Sequence, residues 1–250
     1  MGDLLYGIHP VAEALAAGRR RFNRLLISKR RGARRLNALL DQARTRGVPV
    51  VYKAEAFFRS ELAGATHQGI AADVEPLPLG DEDAILERAE REGRPAFVLV
   101  LDGIMDPQNL GSLIRTALAM GVHGIVLPKD RCAPLSPAVS RASSGAMEHM
   151  VFWRVTNLVS CLKRLKDLGL WVIGADRRSG GAVFETDLTQ NLALVIGGEE
   201  KGIRPLVRRT CDLLVCIPQA DTIDSLNAAT AGAMVMYEAV RQRRGMVTGH

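Results

Sequence analysis

Residues 192–207 read LALVIGGEEKGIRPLV. The opening run is apolar throughout, which is typical of a strand buried on both faces of a sheet, and it leads directly into Gly197 and Gly198. Ligands of open α/β sheets bind outside the carboxyl ends of such strands, and glycine there leaves backbone N–H and C=O groups accessible. The stretch therefore predicts a parallel sheet with a binding loop at its edge.

The same alternation of strand and helix extends over the sequence from Ala96 onward. The strand-like segments are AFVLVL, GIVLP, LWVIGA, LALVIGG and LLVCIP. Apolar strands separated by helices predict an α/β domain in which helices cover both faces of a parallel sheet. We place this domain at residues 96–250. A small α/β domain is expected at residues 1–73, and a linker with prolines and acidic residues at 74–95.

Basic residues are concentrated near the N-terminus. Residues 1–53 contain twelve Lys and Arg against three Asp and Glu, a local charge of +9, whereas the whole chain carries +6. A charge run is most often a solvated surface, but so one-sided an excess also suits the neutralisation of nucleic-acid phosphates. We favour contact with a nucleic acid.

The composition also argues against several classes of protein. No apolar run approaches the roughly 18 to 20 residues of a membrane span, and the N-terminus does not resemble a secretion signal. The four cysteines include no CxxC pair, and the histidines lack metal-ligand spacing such as HExxH. We therefore expect a cytoplasmic protein without a membrane span and without a metal site.

A second candidate loop leads into the segment DPQNLGSLIRTALAMG, which ends at Gly121. Its apolar residues recur at helical spacing and predict an amphipathic helix from about Asn109 to Met120 that packs on the sheet. Asn109 is expected to cap this helix, and Arg115 lies off the apolar stripe. A capped helix with an exposed arginine would explain both residues without a catalytic role.

A third candidate loop is IPQADTIDSLN, residues 217–227, followed by a predicted helix from Ala228 to Arg243. Ser225 or Asn227 could simply cap that helix. Capping does not explain why all three strand-end loops carry polar groups, two of them together with glycine, which is typical of a site assembled from several strand ends. No GxGxxG follows the first strand of this domain, which argues against an ordinary Rossmann dinucleotide site.

Taken together and in this order, DPQNLGSLIRTA, IGGEEKG and IPQADTIDSLN resemble the three motifs of the TrmH-like RNA ribose 2'-O-methyltransferases of the SPOUT superfamily. GIHPVAEAL and HQGIAADV, near the N-terminus, resemble the small L30e-like substrate-binding domain of the bacterial enzymes that methylate a guanosine ribose of large-subunit ribosomal RNA. The resemblance extends over nearly the whole chain.

This resemblance implies a catalytic domain with a trefoil knot, S-adenosylmethionine as the cofactor, 23S ribosomal RNA as the partner, and a homodimer. The catalytic residues that it implies are Asn109, Arg115, Glu199, Ser225 and Asn227. Cofactor contacts, largely from the backbone, are implied around Gly197, Ile217 and Leu226.

Several positions depart from the motifs of the family, including Ala228 and Ala229, where Val and Ser are more usual. Relatives often read I-P-M-x-G before Ser-Leu-Asn, whereas this chain has Gln219 for Met and Asp221 for Gly. A carboxylate in place of glycine would change the preferred backbone angles or repel RNA phosphate. Methylation of a guanosine ribose in ribosomal RNA is the expected function. The same chemistry on transfer RNA and a non-catalytic RNA-binding protein are the alternatives.

Overall fold

The structure is a computed structural model that describes residues 2–29, 36–220 and 225–247, with the side chains of the last helix described up to residue 245. The strands among these residues are β1 (Asp3–Tyr6), β2 (Phe22–Ser28), β3 (Val50–Lys53), β4 (Ile70–Val74), β5 (Phe97–Asp102), β6 (Gly124–Pro128), β7 (Val151–Val155), β8 (Trp171–Ala175), β9 (Leu192–Gly197) and β10 (Leu213–Val215). The α-helices are α1 (Ile8–Ala17), α2 (Asn37–Thr45), α3 (Glu55–Glu61), α4 (Glu82–Glu92), α5 (Pro107–Ala119), α6 (Pro137–Ala142), α7 (Leu158–Asp167), α8 (Pro205–Thr210) and α9 (Ala228–Val247).

The chain forms two compact units. The first comprises Met1–Pro78 and Pro134–His149, and the second comprises Leu79–Ala133 and Met150–His250. Helix α4 lies within the segment 74–95 that the sequence suggests as a linker, and its Ile85 and Ala89 are buried in the core of the second unit. The domain boundaries drawn from the sequence stay a prediction.

The first unit is built on a four-stranded sheet in the order β1-β4-β2-β3. Strand β4 runs antiparallel to β1 and β2, whereas β2 and β3 are parallel. Leu25 and Ile27 of β2 pack with the apolar side chains of α1 and α2, while Leu26 packs with Phe58 of α3. Because successive side chains of a strand point to opposite faces, helices cover both faces of this sheet.

The first unit also contains a segment that is distant in sequence. Helix α6 and a short 3₁₀-helix (Ala146–His149) pack with β1 and α1. Glu148, which is fully buried, pairs with the buried Arg20, their Oε2 and Nε atoms lying 2.7 Å apart. The same guanidinium pairs with Asp3 at 2.6 Å, and Ser140 Oγ donates to Glu148 Oε1 at 2.7 Å. This buried network joins residues 134–149 to the N-terminal sheet.

The second unit is built on a six-stranded sheet in the order β10-β8-β9-β5-β6-β7, and every described strand pair in it is parallel. Helices α4, α7 and α8 bury apolar side chains in one core cluster with Val98, Val100 and Val195 of the central strands. Helix α9 packs on β8 and β9 and against α5. The α/β class and the parallel sheet predicted from the sequence are confirmed.

The trefoil knot stays a prediction. The chain segment of the third motif includes residues 221–224, which lie outside the described residues, and so does the departure at Asp221. Among the helices that the structure describes, none combines the length and the apolar character that crossing a membrane requires.

Candidate active site

Two central strands of the second unit end side by side. β5 and β9 are paired in register from Phe97 opposite Leu192 to Asp102 opposite Gly197. The strand that follows β5 in sequence, β6, lies towards the β7 edge of the sheet, whereas the strand that follows β9, β10, forms the opposite edge. The strand order therefore reverses between β5 and β9, and such a reversal leaves a crevice at the carboxyl ends of the strands.

The turn after β9 is closed by backbone contacts that only glycine permits. Gly198 N–H donates to the Asp102 carbonyl, and Gly202 N–H donates to the Gly198 carbonyl, both at 2.9 Å. A Cβ atom at Gly197 would lie 2.2 Å from the Gly202 carbonyl carbon, and one at Gly198 would lie 2.3 Å from the Gly103 carbonyl oxygen. Any side chain at either position would force the two backbones apart.

A buried carboxylate fixes the far end of the same turn. Asp102 is completely buried at the end of β5. Its Oδ2 accepts from the backbone N–H of Arg204 at 2.8 Å, and its Oδ1 accepts from Arg204 Nε at 2.6 Å. A buried charge is stable only when it is paired and hydrogen-bonded, as it is here, so this pair holds residues 198–204 against the end of β5.

Three of the five predicted catalytic residues are joined by hydrogen bonds. Asn109 Nδ2 donates to Glu199 Oε1, and Asn227 Nδ2 donates to Asn109 Oδ1 at 2.9 Å. Residues 109 and 227 are 118 positions apart in sequence, so the strand-end loops meet as expected. We refer to Asn109, Glu199 and Asn227 as the amide–carboxylate chain.

The helix caps differ in part from the prediction. Asn109 is not the cap of α5: the cap is Asp106, whose side chain accepts from Asn109 N–H at 3.0 Å, and Asn109 lies in the first turn. Pro107 begins the helix because its ring fixes the φ angle and no N–H is needed there. Asn227, in contrast, does cap α9, since its Oδ1 accepts from the N–H groups of Ala229 and Thr230 at 2.9 and 3.2 Å.

A pocket of about 910 Å³ lies beside these loops. Of the predicted site residues, its described lining includes Gly197, Glu199, Ile217, Ser225 and Leu226. Asn109, Arg115 and Asn227 lie outside that described lining, and Arg115 is exposed on α5. All three residues predicted to contact the cofactor thus line the pocket. Of the predicted catalytic residues, two line the pocket and three do not.

The charged side chains of the pocket are mixed in sign. The basic ones are Arg177, Arg178, Lys201, Arg208 and Arg209, and the acidic ones are Asp176, Glu199 and Glu200. Arg208 Nε lies 2.6 Å from Asp176 Oδ2. This mixture suits a ligand that carries charges of both signs.

Metal ligands and reactive thiols place specific requirements on the described part of the chain. No cluster of three or more His, Cys, Asp or Glu within it is placed to hold a metal ion. Burial raises the pKa of the thiols of Cys132 and Cys211 to about 11 and that of Cys161 to about 12. These three cysteines are therefore protonated, and weak nucleophiles, at neutral pH.

Two regions of the sequence match known protein families. Residues 4–79 match the family of RNA 2'-O ribose methyltransferase substrate-binding domains. Residues 96–237, more than half of the chain, match the SpoU rRNA methylase family. The chain belongs to the SpoU rRNA methylase family. The loops of its second and third motifs line the pocket, and Asn109 of the first motif is hydrogen-bonded to both of them.

Individual SpoU relatives resemble the chain over almost its full length. The 23S rRNA (guanosine-2'-O-)-methyltransferase RlmB of Pseudomonas putida is 38% identical over 242 residues, covering 97% of both chains. RlmB of Escherichia coli K12 is 36% identical over 243 residues, covering 97% of this chain and 100% of the relative. Among solved structures, the SpoU methyltransferase AviRb from Streptomyces viridochromogenes, in complex with the cofactor AdoMet, superposes with a TM-score of 0.80. The two sequences are 30% identical, and the superposition covers 97% of this chain and 90% of AviRb.

Two features of this SpoU site are absent from the sequence-based set of residues. Asp102 ends a strand that is otherwise apolar, VLVLD, and that isolated acid was a usable signal. Gln219 lines the pocket with a buried side-chain oxygen, Oε1, that has no hydrogen-bond partner among the described residues. Gln219 was noted in the sequence as a departure from the family motif, but no contact was predicted for it.

Proposed function

We propose that the protein transfers a methyl group from S-adenosylmethionine to the ribose 2'-hydroxyl of a guanosine in 23S ribosomal RNA. The observation that carries the proposal is that the second and third motif loops line one pocket at the carboxyl ends of parallel strands, while the first motif is hydrogen-bonded to both through Asn109. Curated SpoU relatives that cover both chains almost completely bear the name of this activity. Their coverage includes the N-terminal region, which matches the substrate-binding family.

The pocket suits the cofactor in size and in chemistry. Its volume of about 910 Å³ is within the range of about 300 to 1,000 Å³ that small-molecule sites occupy. Ile196, Ile217 and Leu226 supply apolar surface, and side chains of both charge signs line the pocket. The buried, unpartnered oxygen of Gln219 adds a polar contact point. When bound, S-adenosylmethionine supplies an electrophilic methyl group on a sulfonium.

Arg115 is the residue that we assign to the attacking hydroxyl. A ribose 2'-hydroxyl is a poor nucleophile, and negative charge develops on its oxygen as the oxygen–carbon bond forms and the sulfur–carbon bond breaks. A guanidinium is never deprotonated in proteins, so Arg115 cannot act as a base. It stabilises the developing charge and orients the ribose and its phosphate, while a phosphate oxygen or a neighbouring group accepts the proton.

The amide–carboxylate chain orients the substrate. Each side chain in it is already held by another: Asn227 by the N-terminus of α9, Asn109 by Asn227, and Glu199 by Asn109. Groups that are fixed before the reaction lose little freedom during it, which lowers the barrier. We place Ser225 at the same wall of the pocket, where its hydroxyl can donate to the ribose or accept from it.

The partners follow from charge and from exposed apolar surface. The +9 balance of residues 1–53 supports RNA binding by the first unit. On α9, Met234 and Tyr237 are 49% and 62% exposed, while Val235 and Met236 are fully buried. Those exposed side chains support a homodimer through α9. A ribosomal RNA substrate places the protein in the cytoplasm.

The test is incorporation of labelled methyl groups into ribosomal RNA. Replacing Arg115 by Ala should lower the rate about 10²- to 10³-fold, because a preorganised charge beside the developing oxyanion is lost. Arg115→Lys should retain part of the activity, and Arg91→Ala, an exposed arginine on α4, should retain all of it. An Arg115→Ala variant as active as the wild type would remove Arg115 from the mechanism.

A second measurement tests the substrate itself. In cells that lack the protein, one guanosine of 23S ribosomal RNA should lose its 2'-O-methyl group, and transfer RNA should be unchanged. Loss from transfer RNA alone would overturn the ribosomal assignment. An unchanged RNA, together with no binding of S-adenosylmethionine by calorimetry, would favour a non-catalytic RNA-binding protein.

A further inference from the structure

Gln219 places a hydrogen-bond acceptor in the wall of the pocket. The residue follows β10 by a few positions and lines the pocket together with Ile217 and Leu226 of the same loop. Its Oε1 is buried and accepts no hydrogen bond from the residues that the structure describes. Buried polar atoms in proteins are almost always hydrogen-bonded, because leaving one without a partner forfeits its interaction with water.

A buried oxygen in the wall of a binding pocket that accepts no hydrogen bond from the protein indicates a donor group on a ligand. An oxygen of a carboxamide accepts only from N–H or O–H groups. Methionine, which has a similar volume, offers only a thioether sulfur, which is a weak acceptor. The glutamine therefore gives this chain a contact that methionine would not supply.

The surroundings of Gln219 favour the nucleoside part of the cofactor over its amino-acid part. Ile217 and Leu226 offer apolar surface, which suits the face of an adenine ring. The ammonium and carboxylate of the methionine part need charged partners, and the charged side chains of the pocket lie on the loops after β8 and β9 and on α8.

We propose that Gln219 Oε1 accepts a hydrogen bond from an N–H or O–H group of the adenosine part of bound S-adenosylmethionine. The inference rests on the function proposed above, since it requires that this cofactor occupy the pocket. It makes Gln219 a cofactor-binding residue that the family motif does not include.

The experiment is calorimetric titration of the wild type, Gln219→Met and Gln219→Glu with two ligands, S-adenosylmethionine and 5'-methylthioadenosine. The second ligand retains the adenosine and lacks the amino-acid part. Gln219→Met, which removes the acceptor at similar volume, should weaken both ligands about 3- to 10-fold, as expected for one neutral hydrogen bond. Gln219→Glu keeps an acceptor at the same position and should lose less. Gln42→Met, an exposed glutamine on α2, is the matched control and should bind like the wild type.

The outcomes separate this inference from the proposed function. Wild-type protein that binds no S-adenosylmethionine would overturn both. Binding by the wild type with equal affinity in Gln219→Met would overturn the hydrogen bond alone. Weaker binding of S-adenosylmethionine with unchanged binding of 5'-methylthioadenosine would overturn the assignment to the adenosine part. Far-UV circular dichroism of each variant checks that the fold is retained, so that a loss of affinity reports on the contact.

Discussion

Two groups of linked polar side chains in this protein have opposite surroundings. In the first unit, Arg20, Ser140 and Glu148 are buried, and Arg20 pairs with both Glu148 and Asp3. In the second unit, Glu199 and Asn227 of the amide–carboxylate chain are exposed. Both groups connect residues that are more than a hundred positions apart in sequence. The first group contains ion pairs and is buried, whereas the second links two amides and a carboxylate and is more exposed.

Burial changes what such a group contributes. Removing one member of a buried ion pair leaves the other charge without water and without a partner, which costs far more than the pair itself stabilises. Exposed polar contacts exchange readily with water and contribute little to stability. The group in the first unit therefore fixes the structure, whereas the amide–carboxylate chain is held in position and still accessible to a substrate.

The largest expected effect is on the buried network. Glu148→Ala should lower the free energy of unfolding by about 3 to 5 kcal/mol, because Arg20 would remain buried without its main counter-charge. Glu199→Ala, the matched change in the exposed group, should alter it by less than about 0.5 kcal/mol. Urea unfolding followed by circular dichroism measures both values. Equal losses for the two variants would show that burial does not separate the groups.

A smaller effect is expected from a buried histidine of the second unit. Burial is the largest influence on His123 and lowers its pKa from 6.5 to about 4; the neighbouring Glu92 opposes that change, while Arg94, Arg88 and Arg243 add to it. Its Nδ1 accepts from the backbone N–H of Phe97 at 2.9 Å, so the neutral ring carries its proton on Nε2. The folded protein thus binds fewer protons at this residue than the unfolded chain does.

The sign of the pH dependence follows from that lowered pKa. The stability due to neutral His123 is fully present above pH 6.5 and is lost as the pH falls towards 4, a change of about 3 kcal/mol. In His123→Asn, whose amide oxygen can still accept from Phe97, the free energy of unfolding should depend less steeply on pH in this window. Parallel curves for the variant and the wild type between pH 7 and 4.5 would contradict this account.

Asn227 is expected to affect stability less than His123 does, and it sharpens the comparison. Asn227→Ala should cost about 1 kcal/mol, since the cap of α9 is lost. Asn227→Asp keeps an oxygen for the cap and removes the N–H donor to Asn109, so stability should be retained while methyl transfer falls. Urea unfolding and methyl incorporation, measured on both variants, separate the two roles. Full activity in Asn227→Asp would exclude the link to Asn109 from the mechanism.

The parts of the fold that the sequence predicted are those with local causes. A strand buried on both faces must be apolar at nearly every position, so β5 and β9 were visible as continuous apolar runs. Parallel strands end at one edge, so loops that follow them must meet. That geometry explains why Asn109, Glu199 and Asn227, chosen on motif and position, are linked in the structure.

What the sequence did not predict depends on partners distant along the chain. The 128 positions between Arg20 and Glu148 carry no pattern that pairs them, and either residue alone has the character of a surface charge. Asp102 was assigned no role, because its partner Arg204 is brought to it by the packing of β5 against β9. The cap of α5 was misplaced by three residues, since Asp106 and Asn109 are both good capping residues.

Because residues 134–149 belong to the first unit, this unit cannot be obtained as one continuous N-terminal fragment. The polypeptide passes from one unit to the other at three places, after residues 78, 133 and 149. A fragment that stops at residue 95 would contain Arg20 but not Glu148 or Ser140. A chimaera in which only the N-terminal region came from another protein would therefore separate Glu148 from its partner Arg20. Each unit has its own sheet, but a cut after residue 95 would remove part of the first unit.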